Sequence, residues 1–424
     1  MNPETSLRSD LARQIKKIRR ADLVVGIPCF NNEETIGHVI ETVSQGLYDH
    51  YRDMKAVLLI SDGGSTDDTR ECAVQASVRL GQQKLVAIYR GLAGKGSALR
   101  SVFEAADLLS ASACMVVDSD LRSITGEWVH HLLAPVLDHH YDFVAPIYTR
   151  YKYDGTITNN IAYNLTRALY GRRVRQPIGG DFAFSLDCAR SFSSKAVWDS
   201  DIARFGIDIW MTTTALVEGY SVCQSRLGVK AHDSKDPAAH LAPMFRQVLF
   251  TLFLLMEQNE MYWKIVTGSE PTEVFGLDAE PDPPPVAINH GALCESFRNG
   301  LRQFGVLWEH LFPPEIYADI REAAASPDES MQLKITTWVQ ILYRLAATFH
   351  HWESHRFKLL EIATPLYNAR VAAFVNETRD LTSRQAEEVV EAQAKTFEEE
   401  KPELLRLWED RQQISRGLPD SGPL

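Results

Sequence analysis

The sequence predicts an α/β domain, a mostly parallel sheet covered by helices, followed by a mainly α-helical region. Three observations predict it. Between Asp22 and Asp120, short runs rich in Val, Ile and Leu alternate with segments of helical apolar spacing, the pattern of repeated β-α-β units. Each run ends in a polar loop rich in Asn, Asp, Gly or Lys, at the sheet edge where open α/β folds bind ligands. Beyond Ala242 long amphipathic stretches take over, and these read as helices.

Taken in order, Leu23–Pro28, Ala56–Ser61 and Lys84–Tyr89 read as strands, and Glu34–Gly46, Thr66–Leu80 and Lys95–Leu109 as the helices between them. A fourth strand, Ala113–Val117, runs directly into Asp118-Ser119-Asp120. A second set follows: strand-like Tyr141–Ile147, helical Ile157–Tyr170, a Gly179-Gly180 turn, strand-like Asp181–Leu186, helical Gly206–Gly219 and strand-like Ser221–Gly228. The stretch Ser269–Pro285, with its run PDPPP, reads as a linker or surface loop. The expected organisation is a basic arm over 1–20, a catalytic domain over 21–245, a helical region over 246–412 and a flexible tail over 413–424.

Composition narrows the function. The 424 residues carry 56 acidic and 44 basic side chains, a net charge of −12, which argues against nucleic acid as principal partner. The one basic cluster, Arg13–Arg20, shares a stretch with Leu11, Ile15 and Ile18; it reads as a solvated amphipathic arm or a membrane-surface helix. Six dispersed cysteines without a Cys-x-x-Cys pair fit free thiols in a reducing compartment. Residues 1–20 have no apolar core ahead of a cleavage site, and the apolar stretch Val248–Met256 is about half a membrane span. A cytoplasmic protein without integral membrane association is expected.

The loops carry the chemistry. Asp118 and Asp120, spaced i, i+2 on extended backbone, point to one side and can together hold a hard divalent cation that binds a diphosphate. Asn31, Asn32 and Glu33 after the first strand can cap the next helix or bind a base and ribose. Asp62-Gly63-Gly64 after the second strand allows close backbone approach, with an acid for ribose or a uracil-type group. Gly94-Lys95-Gly96 presents one lysine at a helix start, suited to a phosphate oxygen.

These four motifs in this order resemble the GT-A glycosyltransferases. Gln176-Pro177-Ile178-Gly179-Gly180-Asp181, Phe205-Gly206-Ile207-Asp208 and Lys230-Ala231-His232 further resemble the retaining enzymes that make glucosyl-3-phosphoglycerate, glucosylglycerate and mannosylglycerate. The resemblance covers roughly residues 22–235 and implies a GT-A domain, a nucleotide-sugar donor (UDP-glucose or GDP-mannose), an acceptor (glycerate or 3-phosphoglycerate) and Mg²⁺ or Mn²⁺. It implies Asp120 and His232 as metal ligands with Asp118 nearby. Lys95 would neutralise the diphosphate. Pro28, Phe30, Asn31, Glu33, Asp62, Asp118, Ser119 and Gly180 would form the donor side. Asp181 and Asp208 would face the sugar, Asp181 standing where the related enzymes usually carry Glu.

Arg150, Lys152, Thr156 and Thr158 are placed like the segment that grips the acceptor acid, and Ser234 stands where the phosphoglycerate enzymes carry Asn. The resemblance thus implies a retaining hexosyltransferase. An inverting GT-A enzyme acting on a polysaccharide or lipid-linked acceptor, and a non-catalytic nucleotide-sugar sensor, are the competing expectations. The C-terminal helices read as ordinary core and interface, which would make a homodimer or frame the acceptor pocket; a homodimer is expected.

Overall fold

The computed structural model describes residues 5–231, 242–276, 283–352 and 354–410. The chain divides into two compact units, one of residues 1–150, 174–234 and 271–284, the other of 151–173, 235–270 and 285–424. The segment Tyr151–Arg173, expected in the catalytic domain, therefore belongs to the helical unit.

The first unit is built on an eight-stranded sheet. Its strands are β1 (Leu23–Cys29), β2 (Ala56–Asp62), β3 (Gln83–Ile88), β4 (Ala113–Val116), β5 (Phe143–Thr149), β6 (Phe182–Ser185), β7 (Val222–Val229) and β8 (Val274–Phe275), in the order β8-β7-β5-β6-β4-β1-β2-β3. All neighbours are parallel except β6, which runs antiparallel to both β4 and β5. Every residue of β1 and β2 is buried, as expected of a sheet covered on both faces. Leu23, Val25 and Ile27 share a core with helices Ile36–Tyr51 and Gly126–Leu137. On the other face a Cβ at Gly26 would lie 2.4 Å from the Val102 side chain of helix Lys95–Leu109, so only glycine admits that helix so closely.

Helix Lys95–Leu109 matches the sequence expectation end to end. The helix after β2 is shorter than expected, Thr69–Gln75: at its start Thr66 and Asp67 hydrogen-bond to the neighbouring loop, and beyond Gln75 the backbone turns extended at Ala76 and the Ser77 and Arg79 N–H groups donate to Glu41 and Ser44. Two helices went unread in the sequence, Gly126–Leu137 and Leu186–Ser194; the first contains Pro135. The stretch read as a surface loop contributes the edge strand β8. The basic arm is a helix, Ser9–Ile18, whose Leu11 and Ile15 are buried against helix Lys95–Leu109. Its apolar stripe is thus used within the unit, not on a membrane surface.

The second unit is helical. Thr158–Ala162 forms a π-helical turn leading into helix Tyr163–Tyr170, and helices Ala242–Gln258, His290–Leu311, Ile335–His351, Arg356–Thr378 and Ser383–Glu399 make up most of the rest. Arg370 is fully buried and satisfied by Glu377, the Leu333 carbonyl and Asn160 Oδ1. No helix among the described residues is long and apolar enough to cross a membrane.

Candidate active site

Three strand ends converge on Asp118. β4 delivers Asp118 just past its last residue. Because β6 is antiparallel to β4, with Val116 opposite Phe182, the residues that open β6 lie beside the C-terminal edge of β4. The Asp118 N–H accordingly donates to Asp181 Oδ1 at 2.7 Å. The close fit needs a glycine in front of Asp181. Gly180 has φ +94°, and a Cβ there would lie 2.0 Å from Asp118 Oδ2. A register shift between Ile147 and Tyr148 in the β5–β7 pairing brings Tyr148 opposite Gly228, and Lys230 follows at the end of β7.

Two ammonium groups hold Asp118. Lys95 Nζ, at the start of its helix, donates to Asp118 Oδ1 at 2.8 Å, Asp208 Oδ2 at 3.1 Å and the Gly180 carbonyl at 3.3 Å. Lys230 Nζ donates to Asp118 Oδ2 at 3.0 Å, Asp181 Oδ2 at 2.8 Å and the Gly179 carbonyl at 2.8 Å. Each lysine thus meets as many acceptors as it has protons. The Lys95 side chain is 14% exposed and that of Lys230 only 4%.

The electrostatics follow from this packing. Burial works to raise the pKa of Asp118, but Lys95 and then Lys230 outweigh it and hold the carboxyl well below the usual carboxylate range. Burial likewise works against the charge on Lys95, and Asp118 and Asp208 reverse it, raising that pKa. Lys230 is raised in the same way by Asp181 and Asp118. Asp208 differs: burial lifts its pKa and Lys95 offsets only part of that. One of its oxygens, Oδ1, is buried with no hydrogen-bond partner among the described residues. A donor group entering the site would meet an acceptor there.

Other expected site residues take varied places. Asp181, expected to face the sugar, is instead wholly buried, with Oδ1 taken by the Asp118 N–H and Oδ2 by Lys230 and the Tyr148 hydroxyl. Asn31, at φ +53°, accepts from the Thr66 N–H at 2.9 Å, and Glu33 accepts from the Asp68 N–H at 2.9 Å. Both therefore tie the β1 loop to the β2 loop. Asp62 is buried and folds its own turn through the N–H groups of Gly64 and Ser65. Pro28 is buried in β1, whereas Phe30 is 58% exposed at its mouth. Ser119 donates to Asn32 Oδ1 at 2.8 Å and accepts from Thr35 through its carbonyl. Asp120 lies in the turn after β4, half-buried.

The expected acceptor residues divide between the two units. Arg150 belongs to the sheet unit, its guanidinium 5.0 Å from the Tyr148 ring centroid. Lys152, Thr156 and Thr158 belong to the helical unit. Lys152, expected to grip the acceptor, instead donates to the carbonyls of Thr378, Arg379 and Leu381 at 2.7, 2.8 and 2.7 Å, closing the end of helix Arg356–Thr378. Thr156 bonds Tyr367 at 2.7 Å, and Thr158 is buried in the π-helical turn. His232 and Ser234 lie outside the described residues.

Comparison with known proteins fits this geometry. Residues 24–200 match glycosyl transferase family 2. This part of the chain is a glycosyltransferase domain. The glycosyltransferase is 29% identical over 250 residues to glucosyl-3-phosphoglycerate synthase of Mycolicibacterium smegmatis, covering 54% of this chain and 75% of the relative. It is 28% identical over 254 residues to the protein of that name from Mycobacterium tuberculosis, covering 54% and 71%. A crystal structure of the latter with Mn²⁺, UDP-glucose and phosphoglyceric acid shares 25% identity at a TM-score of 0.45, covering 60% of this chain and 86% of that one.

Sequence reasoning singled out Lys230 only as part of a motif and did not place Tyr148 in the glycosyltransferase site at all. The signal for Lys230 was local, a cation at a strand end beside a histidine. The signal for Tyr148 was not, since it depends on the register shift in β5.

Proposed function

We propose that this glycosyltransferase moves glucose from UDP-glucose to the hydroxyl of 3-phosphoglycerate. The observation that carries the reading is the Lys95–Asp118–Asp208 cluster at the C-terminal edge of β4, in a domain whose sequence relatives bear the name glucosyl-3-phosphoglycerate synthase. Lys95 is the more exposed of the two lysine side chains, so it meets a diphosphate entering the site. A preorganised cation there stabilises negative charge as it builds on the leaving group. Asp208 Oδ1, buried and unpartnered, takes a hydrogen bond from a sugar hydroxyl and so orients the hexose.

In the bond change, the acceptor oxygen joins the anomeric carbon as the carbon–oxygen bond to the β-phosphate breaks. The acceptor proton passes to the departing diphosphate. The anomeric configuration is then retained, since attack and departure share one face.

The donor chemistry at the strand end, a carboxylate at Asp120 two residues beyond Asp118, suits a divalent cation that would arrive with the nucleotide. Among the described residues no three His, Cys, Asp or Glu side chains converge to hold a metal, and both Asp118 oxygens accept from ammonium groups. Asp120, with His232 outside the described residues, would hold Mg²⁺ or Mn²⁺, which keep waters and substrate phosphates among their ligands. Such an ion would add Lewis-acid stabilisation of the leaving diphosphate.

A matrix of UDP-glucose and GDP-mannose against D-glycerate and 3-phosphoglycerate tests the reading. The highest kcat/KM is expected for UDP-glucose with 3-phosphoglycerate, and NMR coupling of the product should show the donor's own anomeric configuration. Activity confined to GDP-mannose or to unphosphorylated glycerate would replace the substrate assignment.

A further inference from the structure

Asp118, Lys230 and Asp181 form a closed ring of contacts. The Asp118 carboxylate accepts from Lys230 at 3.0 Å, Lys230 donates to Asp181 at 2.8 Å, and Asp181 accepts from the Asp118 backbone N–H at 2.7 Å. The ring is anchored from outside by the Tyr148 hydroxyl on Asp181 Oδ2 and by the Gly179 carbonyl on Lys230. Tyr148 also lies under the ammonium, its ring centroid 4.7 Å from Lys230 Nζ. Asp181 is fully buried, Tyr148 and Lys230 nearly so. No member of the ring other than Asp118 offers an open face to a substrate.

The ring matters because of what Lys95 must do. In this structure Lys95 is engaged by Asp118, Asp208 and the Gly180 carbonyl. To bind a diphosphate it must give up at least one of these contacts. If Asp118 had no second cation, giving up the contact to it would leave a largely buried carboxylate unpaired, which is costly. Lys95 would then be held back by its own counter-ions. With Lys230 fixed on the other oxygen, Asp118 keeps a partner while Lys95 turns to the donor.

We propose that Lys230 is a positioning residue for donor binding: as the permanent counter-charge of Asp118, locked by Asp181 and Tyr148, it frees Lys95 for the donor diphosphate. The inference rests on the glycosyltransferase reading. It assigns Asp181 to the support of Lys230 and Asp118, not to contact with the sugar.

The test is calorimetric titration of UDP, with Mn²⁺ present, into wild type, Lys230→Met, Lys230→Arg and Tyr148→Phe, alongside steady-state kinetics and thermal melts. Lys230→Met is expected to weaken UDP binding about tenfold or more, with donor KM rising in parallel and acceptor KM unchanged. Lys230→Arg, which keeps the charge, should recover most of that loss. A merely structural role would instead disturb donor and acceptor binding alike, whatever the melting temperature. A folded Lys230→Met that binds UDP as wild type does overturns the proposal.

Should the methionine variant fail to fold, Tyr148→Phe decides. It removes one hydrogen bond and little volume, and is expected to weaken UDP about threefold; unchanged binding overturns the proposal. If the wild type binds and uses GDP-mannose instead, the substrate assignment fails, and the same comparison made with GDP decides the role of Lys230. A wild type that binds neither diphosphate removes the reading and the inference together.

Discussion

Lys95 and Asp118 form an ion pair of 2.8 Å at the C-terminal edge of β4, with Lys95 at the first position of its helix. The helix N-terminus adds positive potential at that point. Removing the ammonium should therefore cost the transition state more than the ground state. Lys95→Ala is expected to lower kcat by about 10²–10³, with a smaller change in acceptor KM. Steady-state kinetics, with circular dichroism to confirm the fold, checks it.

Gly180 sets the position of Asp118. At φ +94° an L side chain is strained, and its Cβ would fall 2.0 Å from Asp118 Oδ2. Gly180→Ala must therefore shift either the turn or the carboxylate. A loss of about 1–3 kcal/mol in stability is expected from the strained backbone, together with loss of most transfer activity. Urea unfolding and kinetics on the same preparation measure both, and a stable, fully active alanine variant would show that the turn can relax.

The β1–β4 half of the sheet was legible because its signals are local. Each strand has an apolar run at its centre, and Asn31, Asp62, Lys95 and Asp118 stand at or shortly after the strand ends. Helix Lys95–Leu109 could be bounded because its apolar residues keep helical spacing and the Gly94-Lys95-Gly96 loop marks its start. The roles of Asp181 and Lys152 were not legible for the opposite reason. Asp181 is defined by Tyr148 and Lys230, which reach it through strand pairing and a register shift. Lys152 is defined by carbonyls more than two hundred residues away. Neither spacing nor periodicity encodes such partners.

Lys152 and Arg150 should separate cleanly by experiment. Lys152 is buried, with its protons on three carbonyls of the Thr378–Leu381 turn. Lys152→Met leaves those carbonyls without their donor, at about 1–3 kcal/mol of stability, and should leave acceptor KM unchanged in the folded enzyme. Arg150→Ala should do the reverse, raising acceptor KM about tenfold or more by removing a guanidinium suited to a carboxylate or phosphate. Denaturant unfolding and acceptor titrations on the two variants decide between the roles.

The ion cluster also sets a pH window. Lys95 and Lys230 have pKa values raised above the ordinary 10.5, so their stabilisation is fully present below that value and is lost as pH rises through the raised ones. Asp118 is lowered from 3.8; its contribution is present above that pH and is lost as pH falls through the lower value. Asp208, raised from 3.8 by burial, favours the fold most when neutral and gives up that contribution as pH rises through its raised value. The melting temperature is therefore expected to fall above about pH 10.5. Melts from pH 7 to 12 should show a smaller alkaline decline in Lys230→Met than in wild type.

Asp120 carries the metal expectation among the described residues. Both oxygens of Asp118 accept from ammonium groups, so Asp118 is expected to serve as their counter-charge, and Asp120 would be the acid that meets the cation. Chelation should abolish transfer, and added Mn²⁺ or Mg²⁺ should restore it. Asp120→Ala should lower kcat by about 10² or more at saturating metal and weaken Mn²⁺ binding in the presence of UDP, read by calorimetry or by paramagnetic broadening of the nucleotide signals. Asp118→Asn should act differently. It removes the shared counter-charge of Lys95 and Lys230, so its main effect should fall on donor binding and stability, with Mn²⁺ affinity less affected. If Asp118→Asn alone destroyed metal binding and Asp120→Ala left it intact, the division of labour between the two acids would be reversed.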